Sequence, residues 1–324
     1  MIVVTGAAGF IGSCMIRQLN LHNFNRIIAV DDFSSTQKNL NLVGKTIQQR
    51  VPRTELFQWL NDHHEETEFI FHLGARTDTT ETDIQLLRDL NTDYTKAVWK
   101  KCSDYQIPLV YASSAATYGD GSYGYDDHAS IDPLQPLNAY GDSKQAFDVW
   151  ALAQEKKPFF WAGLKFFNVY GPNEYHKGRM ASVVFHAYRQ IKETGKMRLF
   201  RSHREDYADG DQQRDFVYVE DVVDVMYWLM HHRKDSGIYN LGTGRARTFN
   251  DLTKAVFTAL GLNPRIEFVD TPSDIRDKYQ YFTEANMAKI RSIGFDRAFR
   301  SLESGIDEYV NSYLHAKPEA LQYF

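Results

Sequence analysis

The first dozen residues restrict this chain more than any other stretch. Ile2-Val-Val-Thr5-Gly6-Ala-Ala-Gly9-Phe10-Ile11-Gly12 sets three glycines three apart, between a β-branched apolar run and a segment of helical period. Gly6 permits a tight turn, Gly9 lets the backbone approach a pyrophosphate, and Gly12 lets helix and strand pack closely. A helix opening there aims free N–H groups and its positive dipole end at the phosphates. A plain glycine-rich connection is the alternative. It is disfavoured because strand, loop and helix follow in the required order.

Short apolar runs then alternate with helical segments. Strands are expected at Ile2–Thr5, Ile27–Asp31, Phe69–Leu73, Leu109–Ser113 and Ala162–Asn168, with helices near Gly9–Asn20, Arg53–His63, Asp83–Tyr105 and Ala139–Gln154. After about Asn168 the rhythm is irregular. Helices are expected at Ala181–Thr194, Asp221–His231, Phe249–Leu260 and Leu302–His315, strands at Phe216–Val219, Ile238–Leu241 and Arg265–Val269, and an exposed polar loop at Arg201–Gln213. This is the pattern of an α/β chain: a Rossmann-type doubly wound parallel sheet with a smaller α/β substrate-binding lobe. Residues 1–168 form the dinucleotide domain, 214–240 return to it, and 169–213 with 241–324 make the lobe.

Composition removes other classes. Lys and Arg total 37 against 42 for Asp and Glu, a net charge of −5, which argues against nucleic acid or anionic membrane as the main partner, since both need an extended basic surface, while leaving room for local basic clusters that hold a small anion. No run of roughly 18 apolar residues suits a membrane span, and Met1 leads straight into a strand without a leader pattern. The expectation is a cytoplasmic protein. Two cysteines, Cys14 and Cys102, have no ligand spacing and suit a reducing compartment. The pairs His63-His64 and His231-His232 have no acidic or Cys partners at ligand spacing, so they read as surface and no metal is expected.

Tyr140-Gly-Asp-Ser-Lys144 opens a helix, and Ser113-Ser114 ends the preceding strand. Tyr140 and Lys144 at i and i+4 share a face. A phenol with a pKa near 10 is a poor base until a nearby ammonium and a cationic nicotinamide stabilise its phenolate. Ser114 is placed to donate a hydrogen bond to a substrate oxygen. The spacing of Tyr140 and Lys144 alone would read as a surface pair; the glycine loop and the serines make it catalytic. At the adenosine end Asp31 and Asp32 suit ribose hydroxyls and NAD, whereas Lys38 and Arg53 suit the 2′-phosphate of NADP or are solvated surface charges. Spacing leaves that choice open. Arg214, between a polar loop and a strand, suits bidentate phosphate binding.

Longer strings narrow the reading: Tyr111-Ala-Ser-Ser-Ala-Ala-Thr-Tyr-Gly119, Phe167-Asn-Val-Tyr-Gly-Pro172, His176-Lys-Gly-Arg-Met-Ala-Ser182, Arg214-Asp-Phe-Val-Tyr218 and Tyr239-Asn-Leu-Gly-Thr-Gly244. With the glycine loop and the Ser114/Tyr140/Lys144 set, they resemble the extended short-chain dehydrogenase/reductase enzymes of sugar nucleotides. Over nearly the whole chain they are similar to the ADP-L-glycero-D-manno-heptose 6-epimerases. His176–Ser182 discriminates most, because ordinary 4-epimerases lack its lysine.

The resemblance implies roles. Phe10 and Ile11 lie at the pyrophosphate, Asp31, Asp32, Lys38 and Arg53 at the adenosine ribose, and Leu73, Gly74, Ala75, Arg76, Thr77 and Asn91 along the cofactor channel. Lys144, Val169 and Lys177 stand at the nicotinamide side. Ser114, Asn168, Arg179, His186, Phe200, Arg201, Ser202, Arg214 and Tyr279 hold the ADP-heptose; without the resemblance His186 and Tyr279 would read as packing or surface. The implied cofactor is NADP, with NAD the second choice. The implied assembly is a homo-oligomer, a pentamer. Two departures stand out: Arg179 replaces a common small Ser, and Arg201–Gln213 is longer than in the shorter members.

An unactivated secondary alcohol cannot be epimerised by deprotonation at carbon. The implied reaction is therefore transient oxidation of C6″ to a ketone and return of hydride to its other face, supplying heptose for lipopolysaccharide. Two faces call for a second acid/base besides Tyr140. Lys177 is the candidate, a phosphate-binding lysine being its other reading. Rival functions fit less well. A 4,6-dehydratase wants an acid pair where Ala115-Ala116 follow Ser114, and a non-catalytic NADPH sensor has no use for Ser114, Tyr140 and Lys144 together.

Overall fold

The computed structural model describes residues 1–272, 276, 280–316 and 323–324. Its strands in chain order are β1 (Ile2–Thr5), β2 (Ile27–Asp31), β3 (Gln49–Pro52), β4 (Phe69–His72), β5 (Leu109–Ser114), β6 (Trp161–Phe166), β7 (Asn168–Tyr170), β8 (Met197–Phe200), β9 (Gln213–Tyr218), β10 (Gly237–Leu241), β11 (Ala246–Thr248) and β12 (Ile266–Val269). Seven of them form a parallel sheet in the order β10-β6-β5-β4-β1-β2-β3. Strands covered by helices on both faces must be apolar on both, so β1, β2 and β4 are buried along their full length. β3 escaped the sequence reading for the complementary reason: it is the edge strand, and only Val51 of its four residues is buried.

The chain builds outward from β1 through β2 to β3, then restarts at β4 and builds the other way. Such a switch point opens a crevice at the carboxyl ends of β1 and β4. Here the two strand ends are in contact: the Leu73 N–H donates to the Thr5 carbonyl and the Gly74 N–H to the Thr5 hydroxyl, both at 3.2 Å. Gly6 turns at φ +64°, and a Cβ on it would lie 2.7 Å from the Gly74 backbone. A Cβ on Gly12 would lie 2.1 Å from the Gly6 carbonyl oxygen, which is how closely the helix Phe10–Leu21 packs on the loop.

The second half makes a lobe with its own core. β9 pairs with β7 in parallel and β11 antiparallel, β12 pairs with β8, and the helices Val183–Thr194, Phe249–Ala259 and Leu302–Glu308 cover them. Tyr170, Phe185, Phe216, Leu252, Phe257 and Ile306 fill its centre. The helix Val219–His231 instead packs on Phe10–Leu21, and β10 joins the large sheet. The buried Asp215 carboxylate joins the segments, accepting from the N–H groups of Thr243 (2.7 Å), Gly244 (2.9 Å) and Ala285 (3.1 Å).

Several expected boundaries moved. The run Ala162–Asn168 breaks at Phe167 into β6 and β7, and Val219 begins a helix instead of ending a strand. The single helix expected over Asp83–Tyr105 contains a wider π-type segment at Arg88–Asp93, where Asn91 is buried. Both cysteines are buried free thiols. Three of the paired histidines meet rings of their own helices, His63 stacking on Trp59, His232 on Trp228 and His231 meeting Tyr227 edge-on, while His64 stacks on Tyr105 at the end of the helix Tyr94–Asp104. Among the described residues no helix is long and apolar enough to cross a membrane.

Gly12→Ala is expected to destabilise the fold by roughly 1–3 kcal/mol through overpacking against the Gly6 carbonyl, measured by chemical denaturation.

Candidate active site

Two adjoining cavities make one groove along the switch point. The first, about 440 Å³, runs from Gly6, Gly9 and Gly12 past Asp31, Asp32, Lys38 and Arg53. The second, about 310 Å³, is walled by Ser114, Tyr140, Lys144, Asn168 and Val169. Phe10, Ile11, Leu73, Ala75, Thr77 and Lys177 line both.

The first cavity fits a dinucleotide's phosphates. Gly9 at the helix N-cap supplies no side-chain cap and the first turn carries no acid, so the opening N–H groups are left for an anion. Beyond them the Asp31 carboxylate is already engaged, accepting from the Ala8 N–H at 2.9 Å, the Asp32 N–H at 2.7 Å and the Lys38 ammonium at 2.5 Å. The Arg53 guanidinium stands 3.7 Å from Asp32. Acid and base thus meet at the adenosine end as two ion pairs, a donor beside each acceptor. Asp32 is held below the usual carboxylate range by Ser34 first, then by Arg53 and Lys38.

At the other end the helix Ala139–Leu152 is capped by Asn138, whose side chain accepts from the Gly141 N–H at 2.8 Å. The Tyr140 hydroxyl meets Ser114; burial pushes the phenol up, and that hydrogen bond partly reverses it. Ser114 Oγ also accepts from the Ala116 N–H at 3.1 Å, which fixes its rotamer. The Lys144 ammonium is buried, donates to the Ala112 carbonyl at 2.9 Å, and is pulled down to about 8 by burial against the opposing pull of Asp148.

Lys177 reaches the groove from the second lobe, on the turn Tyr175–Met180, with its ammonium 5.9 Å from the centre of the Phe10 ring. Burial lowers its pKa and Glu174 opposes the change. Gly178 follows at φ +54°, reversing the chain, so Lys177 lines the cavity while Arg179 is exposed and hydrogen-bonded to the Thr80 hydroxyl.

The family model of the NAD dependent epimerase/dehydratase family matches residues 2–242. The chain belongs to the NAD dependent epimerase/dehydratase family. Within it, the chain is 47% identical to the ADP-L-glycero-D-manno-heptose-6-epimerase of Fusobacterium nucleatum subsp. nucleatum, over 97% of this chain and 98% of that one. It is 48% identical to the enzyme of the same name from Nitratidesulfovibrio vulgaris (strain DP4), over 98% of both. The crystal structure of the Helicobacter pylori ADP-L-glycero-D-manno-heptose-6-epimerase superposes with a TM-score of 0.81 at 27% identity, covering 98% of this chain and 96% of that one.

In this epimerase/dehydratase groove the expected residues divide into those in the wall and those behind or beside it. Ser114, Tyr140, Lys144, Asn168, Val169 and Lys177 share one cavity. Arg76 contributes to the adenosine-side wall, but its guanidinium turns to Glu81 at 2.9 Å. Asn91 acts from behind: it accepts from the Arg76 N–H at 2.8 Å and donates to the Arg76 carbonyl and the Ser143 hydroxyl, both at 3.0 Å. His186 contacts the Arg179 carbonyl at 3.3 Å. Phe200 ends β8, Arg201 sits between Asp209 and Asp270, and the Ser202 N–H donates to Asp209 at 2.9 Å. Arg214 is buried over the Phe249 ring and donates to the carbonyls of Gln213 (2.8 Å) and Gln280 (2.5 Å). Tyr279 lies outside the described residues.

Some wall and support residues had no role in the sequence reading. Phe216, Met180 and Ser182 line the inner cavity, and the buried Glu174 beside them accepts from the Ser182 hydroxyl at 2.7 Å and the Gly171 N–H at 3.3 Å. His176 lines the adenosine side against Asn41, its imidazole pulled down to about 4 chiefly by burial, then by Lys177 and Lys38. Outside the groove, Asp126, Asp127 and His128 bring three ligand-type atoms within 4.8 Å of one another.

Asn91→Ala removes hydrogen bonds joining the β4 exit to the Tyr140 helix. A loss of about 1–3 kcal/mol in unfolding free energy is expected, together with weaker cofactor retention after gel filtration.

Proposed function

We propose that this chain interconverts ADP-D-glycero-β-D-manno-heptose and ADP-L-glycero-β-D-manno-heptose at C6″, with NADP retained between turnovers, and so supplies heptose for lipopolysaccharide. One observation carries the reading: proton-handling side chains enter one cavity from two sides, Ser114 from the end of β5 with Tyr140 from the helix Ala139–Leu152, and Lys177 from the turn Tyr175–Met180. A 4-position enzyme with a single acid/base has no need of the second. The relatives named above support the substrate.

The nicotinamide, when bound, supplies a hydride acceptor that can return the hydride it takes. The remaining chemistry belongs to the chain's own residues. Ser114 donates to the C6″ oxygen and orients it. Tyr140 takes and returns the hydroxyl proton, and the Lys144 charge in the same cavity lowers the cost of its phenolate. Lys177 does the same work for the epimer presented on the other face; a half-buried lysine of lowered pKa is suited to exchanging a proton near neutrality. At the far end Asp31 with Lys38 and Asp32 with Arg53 offer both acceptors and cations, which supports NADP through contact with its 2′-phosphate.

Incubating the purified protein with ADP-D-glycero-β-D-manno-heptose and no added cofactor, and separating the C6″ epimers by chromatography, tests the whole reading. Conversion to an equilibrium mixture is expected; no conversion even with NADP⁺ added would remove the substrate assignment and leave only the family. Tyr140→Phe should lower kcat by roughly 10²–10⁴-fold. Normal turnover of both epimers by Lys177→Ala would end its assignment as an acid/base. Arg53→Ala should weaken NADP binding by about tenfold or more, with NAD binding little changed, in a fluorescence titration.

A further inference from the structure

Behind the Ser114–Tyr140–Lys144 wall lies a pair of charges that the reaction does not touch. Asp148 stands one turn beyond Lys144 and two beyond Tyr140, so all three occupy one face of the helix Ala139–Leu152. Its carboxylate is fully buried and accepts from two hydroxyls of β5, Tyr111 at 3.0 Å and Ser113 at 2.6 Å. From β6 the Lys165 ammonium, also fully buried, approaches it to 3.3 Å. That ammonium donates in turn to the Thr117 hydroxyl at 2.5 Å, and Thr117 donates to the Ser114 carbonyl at 2.8 Å. The pair therefore grips the chain on both sides of Ser114 and the helix that presents Tyr140 and Lys144.

A buried ion pair is a poor source of stability, since desolvating both charges consumes most of their attraction. Apolar residues would spare the desolvation of two charges but would leave the Tyr111, Ser113 and Thr117 hydroxyls without these partners. What the charges do provide is direction, because each partner is bonded to a different element of the active site.

We propose that Asp148 and Lys165 are a positioning pair that holds Ser114, Tyr140 and Lys144 in register and sets the electric field in which Tyr140 exchanges its proton. The activity readout of this proposal rests on the epimerase reading; the field does not. Asp148 disfavours the Tyr140 phenolate and favours the Lys144 ammonium, in each case as a contribution after burial. Lys165 screens that carboxylate. The other titratable groups facing the pair are the phenols of Tyr111 and Tyr118, with Asp127 and Lys289 further along Lys165. The two partners thus act on Tyr140 with opposite signs. Losing the carboxylate removes its direct repulsion of the phenolate, at the expense of support for the Lys144 ammonium, and losing the Lys165 ammonium leaves that repulsion unscreened.

The test is a pH titration of phenolate absorbance in the full-length protein, each variant measured against the same variant carrying Tyr140→Phe so that the difference isolates Tyr140. pH profiles of epimer conversion run alongside. Asp148→Asn should move the Tyr140 midpoint and the activity profile to lower pH by roughly 0.5–1 unit, and Lys165→Met should move both to higher pH by a similar amount. The double variant Asp148→Asn/Lys165→Met should return near the wild-type midpoint, and Lys165→Arg should keep it. Shifts of the same sign, or lower unfolding temperatures with unmoved midpoints, would reduce the pair to a structural role and overturn the proposal. If one single variant does not fold, the other single and the double variant still fix the sign. Failure of the wild type to convert the heptose would sink the substrate reading, while the phenolate titration would still decide the pair.

Discussion

Everything in the groove depends on how closely two backbones approach at the switch point. The Thr5–Gly6 turn and the Leu73–Gly74 exit meet with no side chain between them, and Asp31 holds the next strand end to the same loop through the Ala8 N–H. The ends of β2 and β4 are thereby each hydrogen-bonded to the end of β1 or the loop that follows it. The helix Phe10–Leu21 can then start where its N–H groups face the groove, and Phe10 and Ile11 can line both halves of it. A methyl group at Gly6 or Gly12 would separate these parts, and no adjustment of surface residues could bring them back together.

The second organising fact is that burial does the electrostatic work. Lys144, Lys177, His176 and Glu174 all sit where the charged form is penalised, and in each case burial is the largest cause of the shift. The site leaves these groups only partly compensated. For the two lysines a single opposing charge, Asp148 for Lys144 and Glu174 for Lys177, offsets part of the shift, and for Glu174 hydrogen bonds from Ser182 and Gly171 do so. Side chains poised in this way change protonation readily, which a proton-exchanging cavity requires.

Much of this was legible in the sequence, and what was not has a common cause. Strands buried on both faces announce themselves as apolar runs, so β1, β2, β4 and β5 could be read directly. β3 and β8 are half-exposed, and their Gln, Arg and Lys neighbours look like loop. Contiguous motifs carried the wall: the glycine loop, Ser114, Tyr140 with Lys144, and Lys177 all lie in short strings. Asp148, Lys165 and Glu174 are lone charges inside otherwise ordinary helix, strand and loop, where a single charge normally marks a solvated face. The meeting of Lys38 with Asp31, and of Arg179 with Thr80, is a property of folded geometry that spacing along the chain does not encode.

The reversal at Gly178 has a mechanical side. It sends the side chains on either side of it to different places, Lys177 into the cavity and Arg179 to the Thr80 hydroxyl. The Arg179–Thr80 bond joins the turn that carries Lys177 to the segment after Thr77, so two walls of the dinucleotide groove are tied to each other from outside it.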